Sequence, residues 1–278
     1  MAEALRAEIA GSVAAVRSQL PLVLGISGTA TQGLVADGLL AAGARPMLTA
    51  TPDESPTLAS AARALLVNVG SLASDARASA VPTARAAAAH GIPWVLDPAA
   101  IGLAPVRTPL AAELLALGPD AVRGNASEVL TLHLGSEAGQ SGRGADSTVG
   151  PDTAVDSARD LAVAQGCIVA VSGQVDAITD GDVLVRVANG HPWLAQVSGT
   201  GCLLGALTAA HLGVRTGPGA ARVSPFGAVV AATALLTVAA ERAVASAKGP
   251  GSFRIGLLDA LNAVSADEVA TRVRLTWG

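Results

Sequence analysis

Short apolar runs alternate with longer stretches whose apolar positions recur at helical spacing along most of the chain. Residues 22–26, 46–49, 64–69, 93–96, 121–123 and 167–171 read as strands. Residues 31–42, 75–90, 108–117, 127–134 and 153–165 read as the helices between them, and residues 1–19 as an amphipathic helix ahead of the first strand. The strand runs are apolar throughout rather than alternating, which predicts a mostly parallel sheet covered by helices on both faces, a three-layer α/β fold. Gly91-Ile92-Pro93 reads as a helix stop leading into a strand, and Gly166 plays the same part before Cys167. The rhythm then changes. Residues 175–179 and 183–187, joined through Asp180-Gly181, predict a β-hairpin. From Gly199 the pattern is helical, over 199–212, 225–245 and 253–264. The Gly-, Ser- and charge-rich stretch 135–150 reads as a surface loop, and no repeat or linker divides the chain, so residues 1–278 are expected to form one domain.

Composition narrows this picture. Of 278 residues 51% are hydrophobic and 14% charged, enough for a large core, with apolar surface left to be covered between subunits. A formal charge of −4 argues against nucleic acid as a partner, since phosphate backbones call for a basic surface. Two cysteines, Cys167 and Cys202, are too few for a disulfide scaffold and suit a reducing cytoplasm. The first 19 residues carry Glu3, Arg6, Glu8 and Arg17 and lack the apolar core of a signal peptide. The most apolar long run, 228–240, is shorter than the ~20 residues a bilayer needs, so a soluble protein is expected. His90, His133, His191 and His211 are scattered and read as helix-end or surface residues rather than as a metal cluster.

Ligands of open parallel sheets collect outside the carboxyl ends of the strands, so the polar strand exits belong to one site. They are Ser27-Gly28, Asn68-Val69-Gly70, Asp97-Pro98, Arg123-Gly124-Asn125 and Ser172-Gly173, joined by Val197-Ser198-Gly199-Thr200-Gly201-Cys202. The last is the most informative: glycines flank a threonine and a helix begins at once, leaving backbone N–H groups and a helix dipole to hold an anion such as phosphate. Cys202 closes this turn, where a thiol could meet a reacting hydroxyl, or could be a small buried hydrophobe. Asp97 could hold Mg²⁺ directly or through water, or could cap a turn fixed by Pro98. Arg123 could pair with a nucleotide phosphate and Glu128 could reach the metal, while Asn125 with Glu128 three residues on matches a capping box. Ser172 could donate to a phosphate or to a neighbouring carbonyl. Lys248-Gly249-Pro250-Gly251-Ser252 could bind an anion but fits a rigid turn and N-cap better.

Taken in order, these segments resemble the hydroxyethylthiazole kinases, members of the ribokinase-like superfamily, over about residues 21–264. Leu66-Val67-Asn68-Val69-Gly70-Ser71-Leu72, Leu96-Asp97-Pro98 and Arg123-Gly124-Asn125-Ala126-Ser127-Glu128 carry the first half. Gly142-Arg143-Gly144-Ala145-Asp146-Ser147, Val171-Ser172-Gly173-Gln174-Val175-Asp176 and Gly199-Thr200-Gly201-Cys202 carry the second. The resemblance implies a ribokinase-like fold and phosphoryl transfer from ATP, helped by Mg²⁺, to the hydroxyl of 4-methyl-5-(2-hydroxyethyl)thiazole in thiamine biosynthesis or salvage. It implies that Arg123, Ser172, Gly199, Thr200 and Gly201 contact the nucleotide. It places Leu48 and Gly199 beside the alcohol, and Asp97 and Glu128 at the metal. Cys202 falls where most ribokinase-like enzymes carry an aspartate base and these kinases a cysteine. A homotrimer with active sites at subunit boundaries is implied as well.

The alcohol side departs from the pattern. The family's His-Asn-Ile-Thr-Asn is here Leu24-Gly25-Ile26-Ser27-Gly28, a pocket methionine is Leu48 beside Met47, and Asp-Pro-Val-Gly-Ala-Gly-Ala is Asp97-Pro98-Ala99-Ala100-Ile101-Gly102-Leu103. Such changes can shift selectivity by orders of magnitude. A kinase of another small alcohol and a non-catalytic nucleotide-binding homologue are therefore the alternatives.

Overall fold

The computed structural model describes residues 1–135, 151–217 and 219–278. Among these, nine strands form one sheet in the order β2-β1-β3-β4-β5-β6-β7-β8-β9. Strands β1 (Leu22–Ile26), β2 (Arg45–Leu48), β3 (Ala64–Asn68), β4 (Trp94–Asp97), β5 (Ala121–Asn125) and β6 (Ile168–Ser172) run parallel. Strands β7 (Asp176–Thr179), β8 (Leu184–Val187) and β9 (Leu275–Trp277) extend the sheet antiparallel, the first two as the hairpin expected around Asp180-Gly181. The mostly parallel three-layer reading holds.

Alternation along the inner strands feeds two cores. Val23, Leu66 and Val95 face a layer built by α1 (Ala2–Gln19), α2 (Gln32–Ala42), α9 (Thr200–Gly213), α10 (Pro225–Val244) and α11 (Pro250–Ala263). Leu24, Leu65, Val67, Trp94 and Leu96 face α4 (Ser74–Ala89), α5 (Arg107–Leu115), α6 (Ala126–Leu134) and α7 (Val155–Gln165). Helix α9 lies close against the first face. A Cβ at Gly205 would stand 3.1 Å from Leu66 Cδ1 and 3.3 Å from Asp97 Oδ2, and one at Gly213 only 3.0 Å from the Arg63 carbonyl oxygen. These glycines cost the helix about 1 kcal/mol each in propensity and gain the close approach that brings its N-terminus to the strand ends.

Arginines of α1 close two other helices. Arg17 donates to the carbonyls of Leu261 (3.1 Å) and Val264 (2.5 Å) at the end of α11, and Arg6 to those of Ala270 and Val273 around the end of α12 (Ala266–Arg272). Orphan carbonyls at helix ends need such donors.

Several details differ from the sequence reading. Helices α3 (Ser55–Ala59), α8 (Trp193–Gln196) and α12, and strand β9, were not expected. Helix α10 is 20 residues long, because its N-cap Ser224 and flanking residues extend the run 228–240, and it therefore meets the length of a membrane span. It packs inside the protein, with 83% of its apolar window buried. His211 lies in the last turn of α9, as the helix-end reading has it, but is fully buried there rather than on the surface, with Nδ1 2.7 Å from Ser12 Oγ. Around Lys248 the rigid-turn reading holds: Ser252 Oγ accepts from Lys248 N at 2.8 Å, and α11 starts at Pro250 rather than at residue 253. The segment Gly142-Arg143-Gly144-Ala145-Asp146-Ser147 and the expected loop 136–150 lie outside the described residues.

Candidate active site

The carboxyl ends of β1, β3, β4, β5 and β6 open on one edge of the sheet. Asn68 and Asp97 end neighbouring strands in register, so their side chains meet: Asn68 Nδ2 donates to Asp97 Oδ2 at 2.6 Å. Asn68 Oδ1 in turn accepts from Gly70 N at 2.8 Å, which fixes the amide and the loop after β3. Arg123, from β5, reaches across with Nη1 3.7 Å from Asp97 Oδ2, while its Nε and Nη2 donate to Ser172 Oγ at 3.2 and 3.0 Å. Asp97, Arg123 and Ser172 thus form one chain of contacts across three strand ends.

Helix α9 starts above this chain. Gly199, its N-cap, has φ +94°, the left-handed region that favours glycine. A Cβ there would press on Thr31 Cβ at 3.0 Å, so the start of α9 sits against the start of α2. At Gly201 a Cβ would stand 2.8 Å from Arg123 Nη1, which places the guanidinium directly beside the helix start. Helix geometry leaves the Gly201 and Cys202 N–H groups without intrahelical acceptors. Thr200 turns its hydroxyl back onto the carbonyls of Leu194 (2.6 Å) and Val197 (3.2 Å), so it offers this turn its backbone and locks α8 to it.

The electrostatics follow from burial. Asp97 is fully buried, and desolvation lifts its pKa to about 6, against the opposing pull of Arg123 and the bond from Asn68. Glu128 makes both halves of the expected capping box: Oε2 accepts from Asn125 N at 2.7 Å, and Asn125 Oδ1 accepts from Glu128 N at 2.9 Å. Its Oε1 accepts from Ala100 N at 2.8 Å, so the same carboxylate ties the loop after β4 to the start of α6. Burial and the neighbouring Asp97 charge raise Glu128 to about 7. Cys202 is partly buried, and desolvation and the Asp97 charge push its thiol above the ordinary value against the opposing influence of Thr31, Arg123 and Asn68.

The two buried carboxylates outnumber the one guanidinium beside them. Asp97 Oδ1 is buried without a hydrogen-bond partner, and its oxygen chemistry suits a hard divalent cation such as Mg²⁺. The residues present fit the metal expected there.

Leu48 ends β2 and, like Cys202, packs at the margin of the α2–α9 core, which puts both on the same face of the sheet. Two of the unusual residues of β1 and its exit have structural reasons. Leu24 is buried in the opposite core, and a Cβ at Gly28 would meet the Gly70 carbonyl oxygen at 2.6 Å. A concavity of about 420 Å³ lies elsewhere, between α5 and α6, lined by Ile101, Thr108 and Leu132 among others, and does not include the Gly199–Cys202 turn.

Three residues of this edge escaped assignment from sequence. Asn68 was seen as a strand exit without a role. Thr31 was seen only as the start of a helix. Asp176, which accepts from Gly173 N at 2.9 Å and lies near Arg123, has no role in the strand-exit pattern. The signal for Asp176 was present: an acidic residue four positions after Ser172, at the first residue of a strand that starts from the same edge and runs back antiparallel.

The layered fold with its strand-end site is a ribokinase-like fold. A solved ribokinase-like superfamily protein from Enterococcus faecalis superposes with a TM-score of 0.60 at 13% identity, over 90% of this chain and 89% of that one, a likeness of fold alone. The chain belongs to the hydroxyethylthiazole kinase family, whose model matches residues 13–267. It is 48% identical over 261 residues to the hydroxyethylthiazole kinase of Clavibacter sepedonicus, covering 94% of this chain and 91% of the relative. The solved structure of the hydroxyethylthiazole kinase protein from Pyrococcus horikoshii OT3 matches with a TM-score of 0.85 and 32% identity, over 97% and 98% of the two chains. Membership makes the chain a phosphotransferase, with ATP the donor that a kinase family implies.

Proposed function

We propose that this chain, folded as one kinase domain, transfers the γ-phosphoryl group of ATP to the hydroxyl of 4-methyl-5-(2-hydroxyethyl)thiazole. The observation that carries the reading is the start of α9, where Gly201 leaves the backbone bare against the Arg123 guanidinium, which itself stands 3.7 Å from Asp97 Oδ2. The turn Gly199-Thr200-Gly201 at the start of α9 holds the transferring group through the Gly201 and Cys202 N–H donors and the helix dipole, while Arg123 and Ser172 hold the nucleotide phosphates. Asp97 and Glu128 hold Mg²⁺ and its waters, and the metal, when bound, neutralises phosphate charge. Leu48 and Gly199 flank the alcohol.

In the transfer the alcohol oxygen bonds to the γ-phosphorus, the bond from that phosphorus to the β-bridging oxygen breaks, and ADP leaves. The hydroxyl proton passes to Cys202. Because that thiol is raised, only a small thiolate fraction acts at neutral pH. A weak base suffices, since phosphoryl transfer proceeds through a loose transition state in which positioning and charge stabilisation dominate.

We further place the reaction in a cytoplasmic homotrimer serving thiamine biosynthesis or salvage. The two free cysteines and the exposed apolar side chains of Leu40 and Ile255 support that setting. The test is ADP release coupled to phosphorus NMR with ATP, Mg²⁺ and the thiazole alcohol. A thiazole phosphate ester formed in step with ADP is expected. Turnover only with an unrelated alcohol, or none with any, overturns the reading.

A further inference from the structure

Gly25 lies inside β1 with ordinary strand backbone, outside the positive-φ positions, so no conformational demand requires glycine there. Glycine within a strand is unfavourable and marks a place where another group approaches closely. The approaching group is Leu48, its register partner on β2: a Cβ on Gly25 would stand 2.6 Å from Leu48 Cδ2 and 4.0 Å from Cγ. The Leu48 side chain therefore lies down across the glycine instead of standing off the sheet. It does so at the carboxyl end of β2, on the face that carries Cys202.

We infer that Gly25 sets the depth of the alcohol pocket, by giving the tip of Leu48 a recess in the sheet and so leaving room above it for an apolar, methyl-bearing heterocycle. The inference rests on the reading above that Leu48 borders the alcohol. A side chain at position 25 lifts the Leu48 methyls toward the acceptor and leaves the nucleotide contacts of Arg123 and Ser172, four and five strands along the sheet order from β2, as they are. Position 25 is thus a specificity-determining residue acting through Leu48.

The obstructing atom is the end of a flexible side chain, so Gly25→Ala is expected to fold. The experiment is a double-mutant cycle of Gly25→Ala and Leu48→Ala, with KM for the thiazole alcohol, KM for ATP and thermal midpoint measured on each. Gly25→Ala should raise KM for the alcohol at least fivefold and leave KM for ATP within twofold. The same substitution in the Leu48→Ala background should change KM for the alcohol less than twofold. An unchanged alcohol KM in Gly25→Ala, or an equal effect in both backgrounds, overturns the inference. If Gly25→Ala fails to fold, the double variant carries the test: it must fold and match Leu48→Ala, and an unfolded double variant also overturns the inference. Wild-type turnover separates the two levels: without thiazole phosphorylation the kinase reading fails, and with it the cycle alone decides the role of Gly25.

Discussion

Replacing Asp97 by asparagine should stabilise the ligand-free protein while abolishing its activity. Burial lifts the Asp97 carboxyl from its ordinary 3.8 to about 6. The folded state therefore binds the proton more tightly than the unfolded state, and the cost of ionisation is absent below pH 3.8, grows up to about pH 6 and is complete above it. A gap of about two pH units corresponds to about 3 kcal/mol. Asparagine keeps an acceptor for Asn68 Nδ2 and carries no charge, so at pH 8 it removes that cost, a net figure in which the pull of Arg123 is already counted. For a protein of this size about 2–4 °C per kcal/mol places the rise in thermal midpoint near 6–12 °C at pH 8, shrinking toward zero at pH 4. Thermal unfolding at both pH values, without and with Mg²⁺ and ADP, reads this directly, and the added ligands should raise the wild-type midpoint more than that of Asp97→Asn. A variant less stable than wild type at pH 8 would refute the reasoning, because it would mean that the ionised carboxylate is a net stabilising partner of Arg123.

Other predictions follow from the same geometry. If Cys202 accepts the hydroxyl proton, kcat should climb with pH through neutrality toward the raised thiol value, and Cys202→Ala should flatten that climb and lower kcat by roughly 10²–10⁴-fold, as measured in a pH–rate profile. Ala100 sits at φ +60° where the family pattern carries glycine, so Ala100→Gly should stabilise by about 1 kcal/mol in urea unfolding, and a loss of stability would contradict the strain. His211 is buried neutral with its pKa lowered to about 3, so its contribution is complete above about pH 6.5 and lost as the pH falls toward 3. A non-ionising partner for Ser12, His211→Gln, should lose less stability than wild type between pH 6.5 and 4 in the same unfolding assay.

The layered fold was legible because its signals are local and repeated. Apolar strand runs and helical spacing give β1 to β6, and the Asp180-Gly181 turn gives β7 and β8. Short elements were not, since three residues of β9 or five of α3 hold fewer than two full periods of the strand or helix pattern, too few for a periodicity to show. Helix α12 did carry a signal, as Ser265 accepts from Glu268 N in the spacing of a cap. At the site, strand exits brought Asp97, Arg123 and Ser172 to one edge, because in a parallel sheet chain order alone fixes which ends coincide. Pairwise contacts were beyond that logic. That Leu48 leans over Gly25, that Gly28 is pinned by a carbonyl, and that Thr31 meets Gly199 depend on packing between segments far apart in the chain. Of the departures that read as losses from the alcohol pocket, Leu24 is buried in the core and Gly28 is held against the Gly70 carbonyl, while Gly25 lies under the tip of Leu48.

The account stands on where the terminal phosphate goes. A crystal structure of the protein with Mg²⁺, a non-hydrolysable ATP analogue and the thiazole alcohol should place the γ-phosphate oxygens within hydrogen-bonding distance of the Gly201 and Cys202 N–H groups, with the alcohol oxygen between that phosphate and Cys202 Sγ. Terminal phosphates seated away from the start of α9, with Arg123 still bonded only to Ser172 and Asp97, would contradict it.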